Sequence, residues 1–238
     1  MRLAWNNLLK TASSISATHE DANYPVENLY AKWKKQKFQI ETGETISVVT
    51  IAWAADISVS CIGIAYHNLS AISAVLKDSG GSTLDTWTPP VTYQTDLYTD
   101  TAETTVRSIV ITFTSATVAY LGSLFIGTYD EYYKEAGQAL PFISTDNITK
   151  SLGGQVAGRI GVSLRGAPIS IPGVTVTQRK ALETMRDSVR MLYPFWLDLW
   201  QSSHASFAPI YGHMTTDLDT PKDVDQFCTV SFGFEEAN

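Results

Sequence analysis

Cysteine is almost absent from this chain: Cys61 and Cys228 are the only two in 238 residues. No Cys-x-x-Cys pair exists, so neither a disulfide framework nor a thiolate zinc site is indicated. Both lie in apolar, strand-like runs and read as buried free thiols, with a disulfide between them as the alternative. Histidine is nearly as scarce, and His19, His67, His204 and His213 form no His-x-x-x-His metal pair. The sequence has no Gly-x-Ser-x-Gly, no Walker loop and no dinucleotide fingerprint. No run approaches ~18 consecutive apolar residues, which excludes a hydrophobic membrane-spanning helix. The segment Met1-Arg2-Leu3-Ala4-Trp5-Asn6-Asn7 has no long apolar stretch and no small-residue cleavage site. The chain is therefore expected to carry no export signal and to be made in the cytoplasm. Positive charge is in short supply, with 17 Lys and Arg against 24 Asp and Glu and a net charge of −7. That balance argues against nucleic acid as a partner, since phosphate contacts need clustered cations.

What remains is a core-forming chain, 44% apolar, with room for one large or two small domains. The front half is rich in Thr, Ser, Val and Ile. Strands are expected at Thr45–Trp53, Val59–Tyr66, Ala74–Lys77, Thr86–Trp87, Val106–Phe113 and Tyr120–Gly127. Gly63 interrupts one apolar run and marks a place where backbone approaches closely. Six or so strands at this spacing predict a β-sandwich over residues 1–130.

One stretch reads clearly as a helix, residues 177–193. Leu182, Met185, Val189 and Leu192 recur at steps of three and four and form an apolar stripe. Thr177 is placed to cap its start and Pro194 to stop its end. Around it the spacing predicts a linker over 131–158 and a rear module over 159–238. That module runs strand 159–165, a Pro/Gly turn 166–173, the helix, a strand Phe195–Trp200, a Tyr-Gly strand near Tyr211 and a last strand Phe227–Glu235. Cys228, Val230, Phe232 and Phe234 share one face of the last strand and are the expected packing partners of the helix stripe. The fold class expected is mainly β, a sandwich followed by a small α+β module.

No residue is assigned to catalysis, a cofactor or a metal. Glu235, Glu236, Asp217 and Asp219 read as solvated loop and terminal carboxylates. Calcium held by Asp217, Asp219, Asp223 and Asp225 is the weaker alternative, because the spacing fits no EF-hand loop. Trp196, Trp200 and Asp198 fall on one face, which suits a core or subunit contact better than a sugar platform. Lys32, Lys34, Lys35 and Lys37, with Trp33 and Phe38 beside them, read as a solvated basic face. Binding of an anionic sugar or phosphate is the alternative there.

The front module contains Ile15-Ser-Ala-Thr-His-Glu-Asp-Ala-Asn-Tyr-Pro-Val-Glu-Asn-Leu29, then Trp33, a strand around Phe38-Gln-Ile40, and Ile62-Gly-Ile-Ala-Tyr-His-Asn-Leu69. This order resembles the discoidin-like (galactose-binding-like) β-sandwich, in the version found in tail proteins of tailed bacteriophages. The rear order of strand, Leu-x-x-Met helix, Pro-Phe-Trp-Leu, Tyr-Gly strand and terminal Phe-x-Phe-Glu-Glu looks like phage tail proteins too. The resemblance implies a structural, non-enzymatic subunit of a tail tip or baseplate, located in the virion. Its expected partners are copies of itself, in a trimeric or hexameric ring, and neighbouring tail proteins, with no nucleic acid, membrane or cofactor. Trp5, Trp87 and Tyr129–Tyr133 are expected at such contacts. The alternative is a carbohydrate-binding host-adhesion module, with Trp33 and Trp87 as sugar platforms.

Overall fold

The computed structural model of the protein describes residues 1–30, 36–89, 91, 95–133, 142–144, 147–150, 156–159, 163–190, 193–199, 209–220 and 227–237. In chain order the strands are β1 (Arg2–Ala4), β2 (Ser14–Ala17), β3 (Phe38–Gln39), β4 (Ile46–His67), β5 (Ala71–Lys77), β6 (Thr83–Trp87), β7 (Thr95–Thr114), β8 (Tyr120–Gly127) and β9 (Asp130–Glu131). They continue with β10 (Phe142–Ser144), β11 (Asn147–Lys150), β12 (Val156–Arg159), β13 (Ser163–Thr175), β14 (Phe195–Asp198), β15 (Ile210–Met214) and β16 (Phe227–Glu236). Helix α1 (Val176–Val189) is the one α-helix among the described residues. The mainly-β expectation holds. The chain forms two compact units: Met1–Glu131 with Phe195–Tyr211, and Tyr132–Pro194 with Gly212–Asn238.

In the first unit, the two strands read at 45–53 and 59–66 are halves of one strand, β4, of 22 residues. Its pairing with β7 shifts register between Ala52 and Ile57 and again between Val59 and Cys61. Such irregularities bend a strand and increase its twist. Before the bend β4 lies between β2 and the end of β7; after it, between β8 and the start of β7. The long ladder thus passes from one layer of a sandwich into the other. The first layer also holds β5 and β6, the second β3. Side-chain alternation follows. Val49, Ile51 and Trp53 from the first half of β4 share one core with Ile62, Ile64, Ile109, Ile111, Phe113, Leu121, Leu124 and Ile126. Arg107 and Asp56 form an ion pair at the bend, Nε to Oδ1 2.7 Å.

Beyond the bend β4 is buried on both faces, and its second face has its own small core. Cys61, Ala65 and Phe125 pack there with Ala4 and Trp196. Trp196 arrives on β14, which pairs antiparallel with β1: Arg2 faces Asp198, Leu3 faces Leu197 and Ala4 faces Trp196. The placement of Phe195–Trp200 in the rear module is therefore corrected. Alternation within the strand carries no information about a ladder partner at residues 2–4. Gly63 does mark a close approach, though to an indole rather than to backbone. A Cβ on Gly63 would stand 2.5 Å from Cε2 and 2.6 Å from Nε1 of Trp196.

In the second unit β16 runs between β13 and β15. The Pro/Gly turn expected at 166–173 is strand instead, since Gly166–Thr175 pair with β16. Among the described residues the β10 ladder ends at Arg165, short of Pro168, whose partner on β16 is Gly233. Pro172 and Gly173 sit in a register shift between Ile171 and Val174, where Gly173 supplies φ +68°. Helix α1 begins directly after β13. Its cap is Thr175, not Thr177: Oγ1 of Thr175 accepts from the Gln178 amide at 3.3 Å, and Gln178 Oε1 accepts from the Thr175 amide at 3.0 Å. This reciprocal capping box fixes the first turn. The helix ends at Val189, earlier than Tyr193, with Arg190 at φ +42°. Leu182, Met185 and Val189 are buried in this unit, as are Val230, Phe232 and Phe234 of β16; Cys228 is only half-buried, and Leu192 lies outside the described residues.

The segment expected as a linker, 131–158, contains β10, β11 and β12. Phe142–Ser144 pair with Ser163–Arg165, and Asn147–Lys150 pair with Val156–Arg159. Two antiparallel stretches thus follow one another along the same two chain segments. Each strand is at most four residues long, too short for a clear alternation signal in sequence.

Candidate functional site

Tyr24, Lys37 and Tyr120 meet on the first unit, and all three are half-buried. Lys37 Nζ stands 4.6 Å from the centre of the Tyr120 ring and 5.3 Å from that of Tyr24. Backbone bonds set this geometry. Lys37 immediately precedes β3, whose Gln39 faces Tyr120 on β8, and the Gln39 amide donates to the Tyr24 carbonyl at 3.2 Å. Asn28 Nδ2 donates to the Lys37 carbonyl at 3.0 Å. Asn68 Oδ1 accepts from the Tyr120 amide at 2.8 Å, while its Nδ2 donates to the Val118 carbonyl at 2.9 Å. His67 Nδ1 accepts from the Leu69 amide. The motif residues Asn28, His67 and Asn68 thus spend these side-chain bonds fastening loops. Lys37 is the described member of the basic cluster; Lys32, Trp33, Lys34 and Lys35 lie outside the described residues.

The aromatic residues singled out in the sequence are mostly engaged. Trp87 is 1% exposed and its Nε1 donates to Asp85 at 2.8 Å, so it is core and not a sugar platform or contact patch. Its strand residue alternates inward, which outweighs the loop position suggested by the prolines that follow it. Trp5 donates to Asp130 at 3.1 Å, the Arg2 guanidinium lies over Tyr129, and Tyr132 is buried. Tyr133 alone of the expected contact aromatics is well exposed, at 80%. Trp196 is fully buried and Trp200 lies outside the described residues. Near Trp196, burial raises the Tyr211 phenol to about 12, opposed by a hydrogen bond from Ser123. Burial pushes the Cys61 thiol up, against the pull of Arg2 and of a bond to the Gly127 carbonyl.

Two of the carboxylates of the second unit, Glu236 and Asp217, have structural partners. Glu236, read as solvated, takes a two-point ion pair from Arg165, with Nε to Oε2 3.2 Å and Nη2 to Oε1 3.0 Å. Asp219 exchanges backbone bonds with Ser231, and Asp217 Oδ1 accepts from the Leu218 amide. Asp223, Asp225 and His204 lie outside the described residues. His19 stands 3.8 Å from Glu44 and His213 lies on β15. A cleft of about 350 Å³ is lined by Arg186, Asp187, Arg190, Met214 and Asp217. Arg186 is paired there with Asp187 at 2.9 Å and faces Asp217 at 3.9 Å, so two carboxylates match the two guanidinium groups.

Sequence reading missed Tyr120 because the β3–β8 pairing that brings it to Lys37 joins distant segments. Tyr24 carried a local signal, its place before Pro25 in the motif.

The chain is mainly β, and its first unit is a curled β-sandwich. No protein-family model matches it, and no curated protein matches it. Solved structures similar to about half of it include sugar-binding modules. A fucose binding module from Streptococcus pneumoniae is 14% identical with a TM-score of 0.43, covering 51% of this chain and 94% of that one. The family 32 CBM from C. perfringens NanJ, solved with galactose, is 14% identical with a TM-score of 0.44, covering 55% and 100%. A putative alpha-L-fucosidase from Bacteroides thetaiotaomicron is 16% identical with a TM-score of 0.45, and the match spans only 28% of that chain.

Proposed function

We propose that this chain is a structural subunit of a phage tail tip or baseplate, acting by assembly with copies of itself and with neighbouring tail proteins. The observation that carries the reading is the ribbon of the second unit. Among the described residues β11 and β12 pair only with each other, and β10 only with β13. A two-stranded ribbon is marginal in water by itself, and its outer edges present unpaired backbone donors and acceptors. Such edges are stabilised when a further strand joins them, and a ring of identical subunits supplies one at every interface. The module order of the sequence adds the phage context.

The test is direct. Light scattering of the purified chain is expected to show a closed ring of three or six copies, and mass spectrometry of purified virions to find the chain in tails. A monomer at all concentrations, together with absence from virions, ends this reading.

A second reading is carbohydrate binding by the first unit, the activity named for several of the similar structures. The observation on this chain that favours it is the half-buried Tyr24–Lys37–Tyr120 cluster. A glycan array decides it: no bound glycan at any concentration removes this reading and leaves the assembly reading untouched.

A further inference from the structure

Lys37 is the one member of the basic cluster whose surroundings are described, and they are unusual for a lysine. A long ammonium side chain loses considerable rotamer freedom when it is held in place. Surface lysines held this way are normally held by a carboxylate. Among the described residues Lys37 has no ion pair, and its neighbours are two tyrosine rings, 4.6 and 5.3 Å from Nζ. Ring faces attract a cation electrostatically but accept its N–H bonds poorly. The ammonium therefore keeps donor capacity for an outside acceptor. Asp21, three residues before Tyr24, directs Oδ1 to the Asn23 amide at 2.9 Å and to Asn23 Nδ2 at 3.2 Å.

The position is also pre-organised. The Lys37 carbonyl is held by Asn28, the Tyr120 amide by Asn68 and the Tyr24 carbonyl by the Gln39 amide. An acceptor arriving here meets a cation whose backbone is already ordered, which lowers the entropy cost of binding. The chemistry sets the ligand class. A single ammonium is a point charge that pairs with one singly charged group, and a carboxylate carried on the sugar ring brings that group alongside the two tyrosine rings. Two half-exposed phenol rings beside it offer apolar surface to the C–H face of a sugar and hydroxyls to its rim.

We propose that Lys37, fixed between Tyr24 and Tyr120, is the charge-reading position of a saccharide site selective for a carboxylate-bearing sugar unit. The proposal rests on the glycan reading of the first unit and adds the charge of the ligand and the residue that reads it.

Titration calorimetry with oligogalacturonate and with the uncharged galactose oligomer of equal length tests it on the full chain. The acidic oligomer should bind, the neutral one at least about tenfold more weakly. Lys37→Gln should erase the difference between the two, and 0.5 M salt should weaken the acidic oligomer alone. An unchanged urea midpoint confirms that Lys37→Gln is folded; if it is not, Lys37→Arg, which keeps the charge, should retain the preference. Equal affinity for both oligomers, or undiminished acidic binding by Lys37→Gln, overturns the role of Lys37 while sparing glycan binding. No binding of either oligomer, with a blank glycan array, overturns both. Preference for a phosphate-bearing polymer such as a teichoic acid over oligogalacturonate overturns the carboxylate assignment.

Discussion

Replacing Gly63 by alanine adds one methyl group where the Trp196 ring already lies. The new carbon would stand 2.5, 2.6 and 2.9 Å from Cε2, Nε1 and Cζ2 of the indole. Ordinary carbon contacts lie at about 3.5–4.0 Å, so three atoms overlap by roughly 1 Å each. Trp196 is fully buried and cannot swing into solvent. Relief must come from a rotamer shift or from displacement of β14 against β1, and overpacking of this kind costs roughly 1–3 kcal/mol. Trp196→Ala removes the obstacle and costs roughly 3–5 kcal/mol by itself. In that background the three indole atoms that crowd Gly63→Ala are gone. Gly63 has no positive φ, so alanine fits its backbone and restricts the unfolded chain, a gain of up to about 1 kcal/mol. The cost of Gly63→Ala should thus shrink or reverse in the Trp196→Ala background, a coupling of roughly 1–3 kcal/mol, within what neighbouring residues show. Urea unfolding of the four proteins, followed by circular dichroism to avoid the lost tryptophan signal, measures it. Equal destabilisation by Gly63→Ala in both backgrounds would refute the contact and with it the assignment of β14 to the sandwich unit.

Three further outcomes are expected. Thr175→Ala should cost about 1 kcal/mol in urea unfolding, and Thr177→Ala much less, because Thr175 holds the capping box. In native protein a thiol reagent at neutral pH should modify Cys228 readily and Cys61 only on unfolding, since Cys61 is buried and its thiol is pushed up; fast loss of both thiols would count against the second core. The folded-state phenol of Tyr211 lies above its unfolded value of about 10, so its contribution to stability is complete below pH 10. That contribution should fade as pH rises toward about 12. The stability difference between the natural chain and Tyr211→Phe should show this slope and should be flat below pH 9.

Much of the architecture was legible where burial is one-sided. Val49, Ile51 and Trp53 alternate on β4, and Leu182, Met185 and Val189 recur at helical spacing, so pattern alone placed both elements. It failed where the deciding partner is remote. Pro168 and Gly173 signalled a turn because local chemistry cannot show that β16 lies alongside to extend the strand. Phe195–Asp198 gave a correct strand in the wrong unit for the same reason. The candidate site was half visible: the lysines stood out, whereas the rings that hold Lys37 come from a loop and from a strand more than eighty positions later. Trp87 shows the opposite error, an aromatic beside prolines that looked available and is core.

The pairing of β1 with β14 also has a consequence in time. Arg2 is synthesised long before its ladder partner Asp198. At about 5–20 residues per second, the interval is roughly 10–40 s. In the last part of it, between Phe125 and Trp196, the face formed by Cys61, Ala65 and Phe125 waits without its cover. The nascent sandwich thus keeps one apolar face open until β14 is made, and a strand remote in sequence is what closes it.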